Sequence, residues 1–137
     1  MRIEQRLSRA LGWLLLLYAA ASLLHFAHNA EYLSDYPNLP ASLSRAHVYL
    51  AWCAAALVGV TGYLLYRHAY RRLGLLLLLV YALIGFDALL HYRRAPFSMH
   101  TGMMNFTIWT EVLAATLLLA GVVSAAFRRD DEVPLPH

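Results

Sequence analysis

Two imidazoles, a carboxamide and a carboxylate stand within seven residues of this chain, His25-Phe26-Ala27-His28-Asn29-Ala30-Glu31. The cluster closes the first long apolar run. Polar groups are costly beside a membrane segment, so they mark a site more readily than an ordinary helix end. Further groups of the same chemistry recur near the ends of other apolar runs: His47, Asp87, His91, His100 and, deeper in its run, Glu111. Imidazole with carboxylate and no thiolate suits zinc, copper or iron. A carboxylate inside an apolar helix is suited to general acid/base work when it has a partner.

The spacing places these groups on shared faces. His25 and His28 are three residues apart, and Asp87 and His91 are four apart; both separations bring side chains to one side of an α-helix. A helix beginning near Ser98 would carry His100, Met104, Thr107 and Glu111 as one stripe, since eleven residues make almost three turns. The expected metal ligands are His25, His28, Asp87, His91 and His100. Glu111 is the expected catalytic base or an additional ligand. His47 is peripheral and His68 has no role. Asn29 is read as lying off the His25/His28 stripe and closing the helix end.

Asp87, His91 and His100 give D-x3-H followed by a later histidine. This resembles the copper-ligand pattern in the C subunit of membrane-bound methane and ammonia monooxygenases, with a shorter spacing to the last histidine. The resemblance covers residues 87–100 and implies a copper site between membrane helices.

Plainer roles compete with each of these. An isolated interfacial histidine is ordinarily a solvated or hydrogen-bonded group. Asp87 and His91 can close a helix end by a local hydrogen bond. Glu111 can form a salt bridge to Arg93 or Arg94. Met103 and Met104 are packing residues before they are soft ligands.

The elements that must position these residues are helices. Of the 137 residues 61% are hydrophobic and 14% charged, well below the ~25% charge of soluble domains. The expected fold is all-α, a four-transmembrane-helix bundle in one domain, with spans near 10–28, 47–66, 73–91 and 103–127. Each comes close to the ~20 apolar residues that cross a bilayer. Ala51, Ala54, Ala55, Gly59 and Gly62 would allow close contact of the second helix with a neighbour. Ser42 or Ser44 is placed to cap it. The basic turn 67–72 makes helices two and three antiparallel neighbours. The acidic tail 130–137, with two prolines, reads as disordered. The N-terminal segment imitates a signal peptide but is read as a retained membrane helix.

Charge sets the orientation. All eleven basic residues are arginine. With four spans, Arg2, Arg6, Arg9, Arg67, Arg71, Arg72, Arg128 and Arg129 fall on one side, and Arg45, Arg93 and Arg94 on the other. The positive-inside rule then puts both termini in the cytoplasm of a cell inner membrane. His25, His28, His47, Asp87, His91, His100 and Glu111 gather in the outer, periplasm-facing leaflet. The arginines form topology signals, so no nucleic-acid partner is expected. Cys53 stands alone and makes no intrachain disulfide.

Together these observations predict a membrane protein with a His/carboxylate transition-metal site, zinc slightly ahead of copper or iron. It would be a small metalloenzyme acting on a lipid-like or small apolar substrate. Two alternatives are a non-catalytic metal- or haem-binding subunit of a larger membrane complex, and a metal-free lipid isomerase using Glu111 and Asp87. Self-association is open in each case.

Overall fold

The computed structural model describes residues 2–68 and 70–128, with side chains from residue 5 onward. The acidic tail 130–137 lies outside the described residues, as do Arg129 and His137. The described chain is helical, with no strand among the described residues. Helix α1 spans Arg2–Glu31, α2 Arg45–Arg67 and α3 Arg71–Ile84; a 3-10 segment Gly85–Leu90 leads into the short α4, His91–Arg94; α5 spans Gly102–Phe127. Four stretches are long and apolar enough to cross a membrane: Gln5–Glu31, Arg45–Arg67, Arg71–Arg94 and Gly102–Phe127. The first three reach slightly beyond the apolar runs that announce them, because polar residues at both ends continue the helical hydrogen bonding, and the fourth adds only Gly102.

The helices pack in a ring, α1 against α2, α2 against α3, α3 against α5 and α5 against α1. Large apolar side chains such as Trp13, Leu57, Leu76 and Leu113 point outward, as suits a surface surrounded by lipid. The core is built from Leu11, Tyr18, Leu78, Tyr81, Ala115 and Leu118. Glycine sets the closest contact. A Cβ on Gly74 would collide with the backbone of Tyr66, and one on Gly62 would lie 2.9 Å from the Leu77 Cβ. The α2 and α3 backbones therefore meet almost directly, the packing that small residues permit between membrane helices.

Helix ends are closed by specific groups. Ser44 is the N-cap of α2, and its hydroxyl accepts from the His47 amide at 3.3 Å. Thr101 caps α5 by accepting from the Met104 amide at 3.2 Å. At the far end of α5 the Arg71 guanidinium donates to the Ala125 carbonyl, placing positive charge at a helix C-terminus. Arg45 and Glu31 pair at 2.7 Å across the α1–α2 connection. Both are solvent-accessible, so the pair contributes at most ~1 kcal/mol.

Candidate functional site: a buried imidazole–carboxamide–carboxyl centre

The polar residues converge at the end of the bundle that carries the α1–α2 and α4–α5 connections. His25, 2% exposed, sits on the inner face of α1; Thr107 and Glu111, 0% and 1% exposed, face it from α5. Four residues separate Thr107 and Glu111, so they stack on one side of that helix.

Hydrogen bonding fixes the protons. The Thr107 hydroxyl donates to the Met104 carbonyl at 3.0 Å, which uses its one hydrogen. Its oxygen therefore accepts from His25 Nδ1–H at 3.2 Å. His25 is left with a lone pair on Nε2. Asn29 Nδ2 approaches that nitrogen at 3.1 Å and His91 Nε2 at 3.2 Å. One carboxamide thus donates both its hydrogens, one to each imidazole, and holds His91 with its lone pair on Nε2 as well. The two rings are edge to face, centroids 5.3 Å apart. Glu111 Oε2 lies 3.8 Å from His25 Nε2. Glu111 Oε2 and Asn29 Oδ1 are both buried without a hydrogen-bond partner.

Residues of the α1–α2 and α4–α5 connections close the site on the loop side. Tyr36 is 3% exposed and lies between His28 and His91, ring centroids 5.8 and 5.0 Å away. Its hydroxyl pairs with His28 Nδ1 at 2.8 Å. Burial pushes this phenol up to about 12, with the Thr107 hydroxyl opposing part of the rise. The loop is pinned where Asn38, at φ 59°, donates from Nδ2 to the Arg94 carbonyl at 2.8 Å. Asparagine tolerates this left-handed backbone better than most residues. Asn105 is 8% exposed; it accepts from the Tyr92 hydroxyl at 2.8 Å and donates to the His100 carbonyl at 3.2 Å. That ties the α4–α5 connection to α5.

The six expected site residues part company here. His25, His91 and Glu111 meet. His100 stands beside them, its ring 6.1 Å from that of His91. Its Nδ1–H donates to the Pro96 carbonyl at 3.1 Å, and its buried Nε2 has no partner. It precedes α5 instead of starting a stripe on it, because Thr101 caps the helix. His28 turns to Tyr36 and stacks on Tyr32 at 4.8 Å. Asp87 is exposed and makes no hydrogen bond or ion pair among the described residues. The cause is the 3-10 segment. Four residues in an α-helix turn through about 400°, which is nearly one face; four in a 3-10 helix turn through about 480°, a third of a turn away. Among the described residues no three His, Cys, Asp or Glu side chains form a group that could hold a metal ion. Glu111 does not meet Arg93 or Arg94; Arg94 instead donates to the Asn38 carbonyl at 3.4 Å.

Asn29, expected to close the helix end, is instead the central residue of the site. Its signal was present: Asn29 is four residues from His25, about 40° away on a helical wheel, closer than His28 at about 60°. Tyr36 had no comparable signal, since nothing periodic places a loop residue.

His91 and Asn29 also reach a groove of about 240 Å³ between α1, α2 and the 3-10 segment, where Asp87, His47 and Arg94 contribute polar groups. The buried centre therefore has a side entrance facing the space between helices. Comparisons with family models, with curated proteins and with solved structures found no match, so the architecture and the site rest on this chain's own residues.

Proposed function

We propose that this chain is an integral membrane protein that shifts protons on a lipid-soluble substrate, with His91 as the base and His25, Asn29 and Glu111 as its support. The observation that carries the reading is the Asn29 carboxamide shared between His25 Nε2 and His91 Nε2. It holds both imidazoles with a lone pair facing one point. A substrate in the groove meets His91 first. His91 Nε2 takes a proton from one atom and returns it to another as a double bond moves, so one bond to hydrogen breaks and one forms. Asn29 suits both stages: its Nδ2–H donates to a bare nitrogen, and its unpartnered Oδ1 accepts from a protonated one. Glu111 behind His25 supplies a carboxyl that exchanges a proton with the imidazole. Asp87, exposed in the groove, is not the second member of this acid/base pair. The arginine distribution supports cytoplasmic termini and a centre in the outer leaflet.

The test is isotopic. Purified protein is incubated with a total bacterial lipid extract in D2O, and the lipids are examined by mass spectrometry. At least one lipid species gains deuterium with the wild-type protein, and none does with His91→Ala or Glu111→Gln. If no lipid gains deuterium above the protein-free control, proton transfer to lipid is refuted.

A specific observation favours a second reading, a transition-metal centre. His25 and His91 both carry the lone pair on Nε2, and His100 does so nearby. Two imidazoles on one tetrahedral zinc have ring centroids roughly 5 Å apart, given Zn–N of about 2.0–2.1 Å. The His25–His91 spacing of 5.3 Å fits this, and the His91–His100 spacing of 6.1 Å is wider. The donor set fits a cation only in part: His25 and His91 would hold it, Asn29 would have to release both nitrogens, and no third His, Cys, Asp or Glu joins them among the described residues. Elemental analysis separates the readings. About one zinc, copper or iron per chain, lost in His25→Ala and His91→Ala, favours the metal. Folded protein without metal favours the proton-transfer centre, and a Soret absorption band would point to haem.

A further inference from the structure

Asp87 lies on the groove wall without an intramolecular partner, inside the membrane-spanning stretch Arg71–Arg94. A carboxylate near the middle of such a helix costs about 2.5–3.5 kcal/mol, less toward its end. Arg94 lines the same groove but begins seven residues later. At 1.5–2.0 Å per residue that is roughly 10–14 Å along the axis, beyond ion-pair reach. Its guanidinium is also engaged with the Asn38 carbonyl. The other titratable groups on the groove are His47, which bonds Ser44 at 2.9 Å, and His91, which is held by Asn29. The carboxylate is therefore left to a charge from outside the chain.

From this arrangement we infer that the groove binds a lipid-soluble ammonium ion, with Asp87 as its counter-charge. The remaining walls choose among cations. Phe26 offers an aromatic face and Leu90 an aliphatic one. Aromatic faces attract organic ammonium groups, and apolar walls accept the alkyl part. A hydrated inorganic cation would need several oxygen ligands in place of its water, and the groove supplies one carboxylate. Anions meet repulsion at Asp87 and attraction only at Arg94, seven residues away on the same groove. The 240 Å³ volume is below the ~300–1,000 Å³ of pockets that enclose a drug-sized molecule. A small alkylamine, or the amine end of a longer one, is the size that enters. The ammonium would then lie one turn from His91, which makes a lipid-soluble amine the substrate class of the proton-transfer centre. That extension rests on the function proposed above; the binding itself does not.

The experiment reads binding without turnover. The full-length protein in phosphatidylcholine nanodiscs is exposed to n-decylamine or to n-decanol, and the retained adducts are counted by native mass spectrometry. The amine is expected at about ten-fold higher occupancy, equal to 1.4 kcal/mol. Asp87→Asn reduces it to the alcohol's level, and Asp87→Glu keeps part of the preference. Leu90→Trp, which fills the groove while leaving the carboxylate, lowers amine retention as well. Equal retention of amine and alcohol by wild-type protein overturns the inference, and so does a preference that survives Asp87→Asn. Amine binding with no deuterium transfer to any lipid would leave the ammonium site standing and remove the proposed activity alone.

Discussion

Replacing Asn29 by alanine removes the donor that both imidazoles share. Two hydrogen bonds disappear, to His25 at 3.1 Å and to His91 at 3.2 Å. In water-soluble proteins each would contribute about 0.5–1.5 kcal/mol. Between membrane helices the measured average is nearer 0.6 kcal/mol, with a maximum of about 1.7. The two bonds together then amount to about 1–2 kcal/mol. The burial of the orphaned His25 nitrogen favours the upper half of that range, since an unsatisfied buried acceptor costs more than a lost bond. The assay is a double-mutant cycle on reversible unfolding in mixed micelles, with Asn29→Ala, His91→Ala and the double variant. A coupling of about 0.6 kcal/mol or more is expected between Asn29 and His91, which are 62 residues apart on different helices. His47 serves as the control: it bonds Ser44 and not Asn29, so Asn29→Ala and His47→Ala should be additive. Nitrogen-15 NMR supplies a second readout. In Asn29→Ala, His25 keeps its Nδ1–H form because Thr107 still holds it, while His91 loses the partner that fixed its own. A coupling below ~0.3 kcal/mol, the scatter of independent sites, would refute the shared carboxamide as the link between the helices.

Three further perturbations address the frame of the site. The Tyr36 phenol rises from 10.0 to about 12 on folding, so its contribution to stability is full below pH ~10 and lost as the pH rises toward 12. The loss approaches ~3 kcal/mol at 1.36 kcal/mol per unit; Tyr36→Phe should flatten that part of the stability curve, and identical slopes for both proteins would contradict the burial of this phenol. Gly74→Ala forces a Cβ onto the Tyr66 backbone and should cost about 1–3 kcal/mol as an overpacked contact, read as a lower unfolding midpoint; an unchanged midpoint would mean that α2 and α3 separate without penalty. A reporter fused after Glu132 should be active only in its cytoplasmic form, and a periplasmic signal would reverse the assignment of sides while leaving the centre intact.

The four helices were legible in the chain because an apolar run long enough to cross a bilayer has few other folded forms. The gathering of polar residues at one end was legible from the order of the runs. Within a single helix the spacing argument worked for Thr107 and Glu111, which do share the buried face of α5. It failed where its premise failed. Asp87 and His91 are separated by a change of helical type, and residue spacing carries no mark of that change. His100 left its stripe because Thr101 starts the helix after it. Asn29 has a favourable spacing from His25, but a carboxamide orients imidazoles without ligating a metal, so a ligand pattern does not pick it out. Tyr36 is held by Asn38, which binds a carbonyl 56 residues away, and such a contact has no local trace in the sequence.

The 3-10 segment Gly85–Leu90 has a consequence for the phase of everything that follows it. Six residues wound at about 120° and 2.0 Å each, instead of 100° and 1.5 Å, advance the chain by about 120° more and carry it about 3 Å farther. With those six residues in α form, the His91 ring would be swung a third of a turn away from Asn29 and drawn back from Tyr36. The overwound turn therefore acts as a fixed gear between two parts of one transmembrane stretch. It leaves Asp87 on the groove wall alone and turns His91 so that it reaches both the groove and Asn29. Gly85 sits at the start of that gear, where a Cβ would strike Ala115 and the Tyr18 hydroxyl. The azimuth of His91 is thus set six residues earlier, at a position that touches none of its partners.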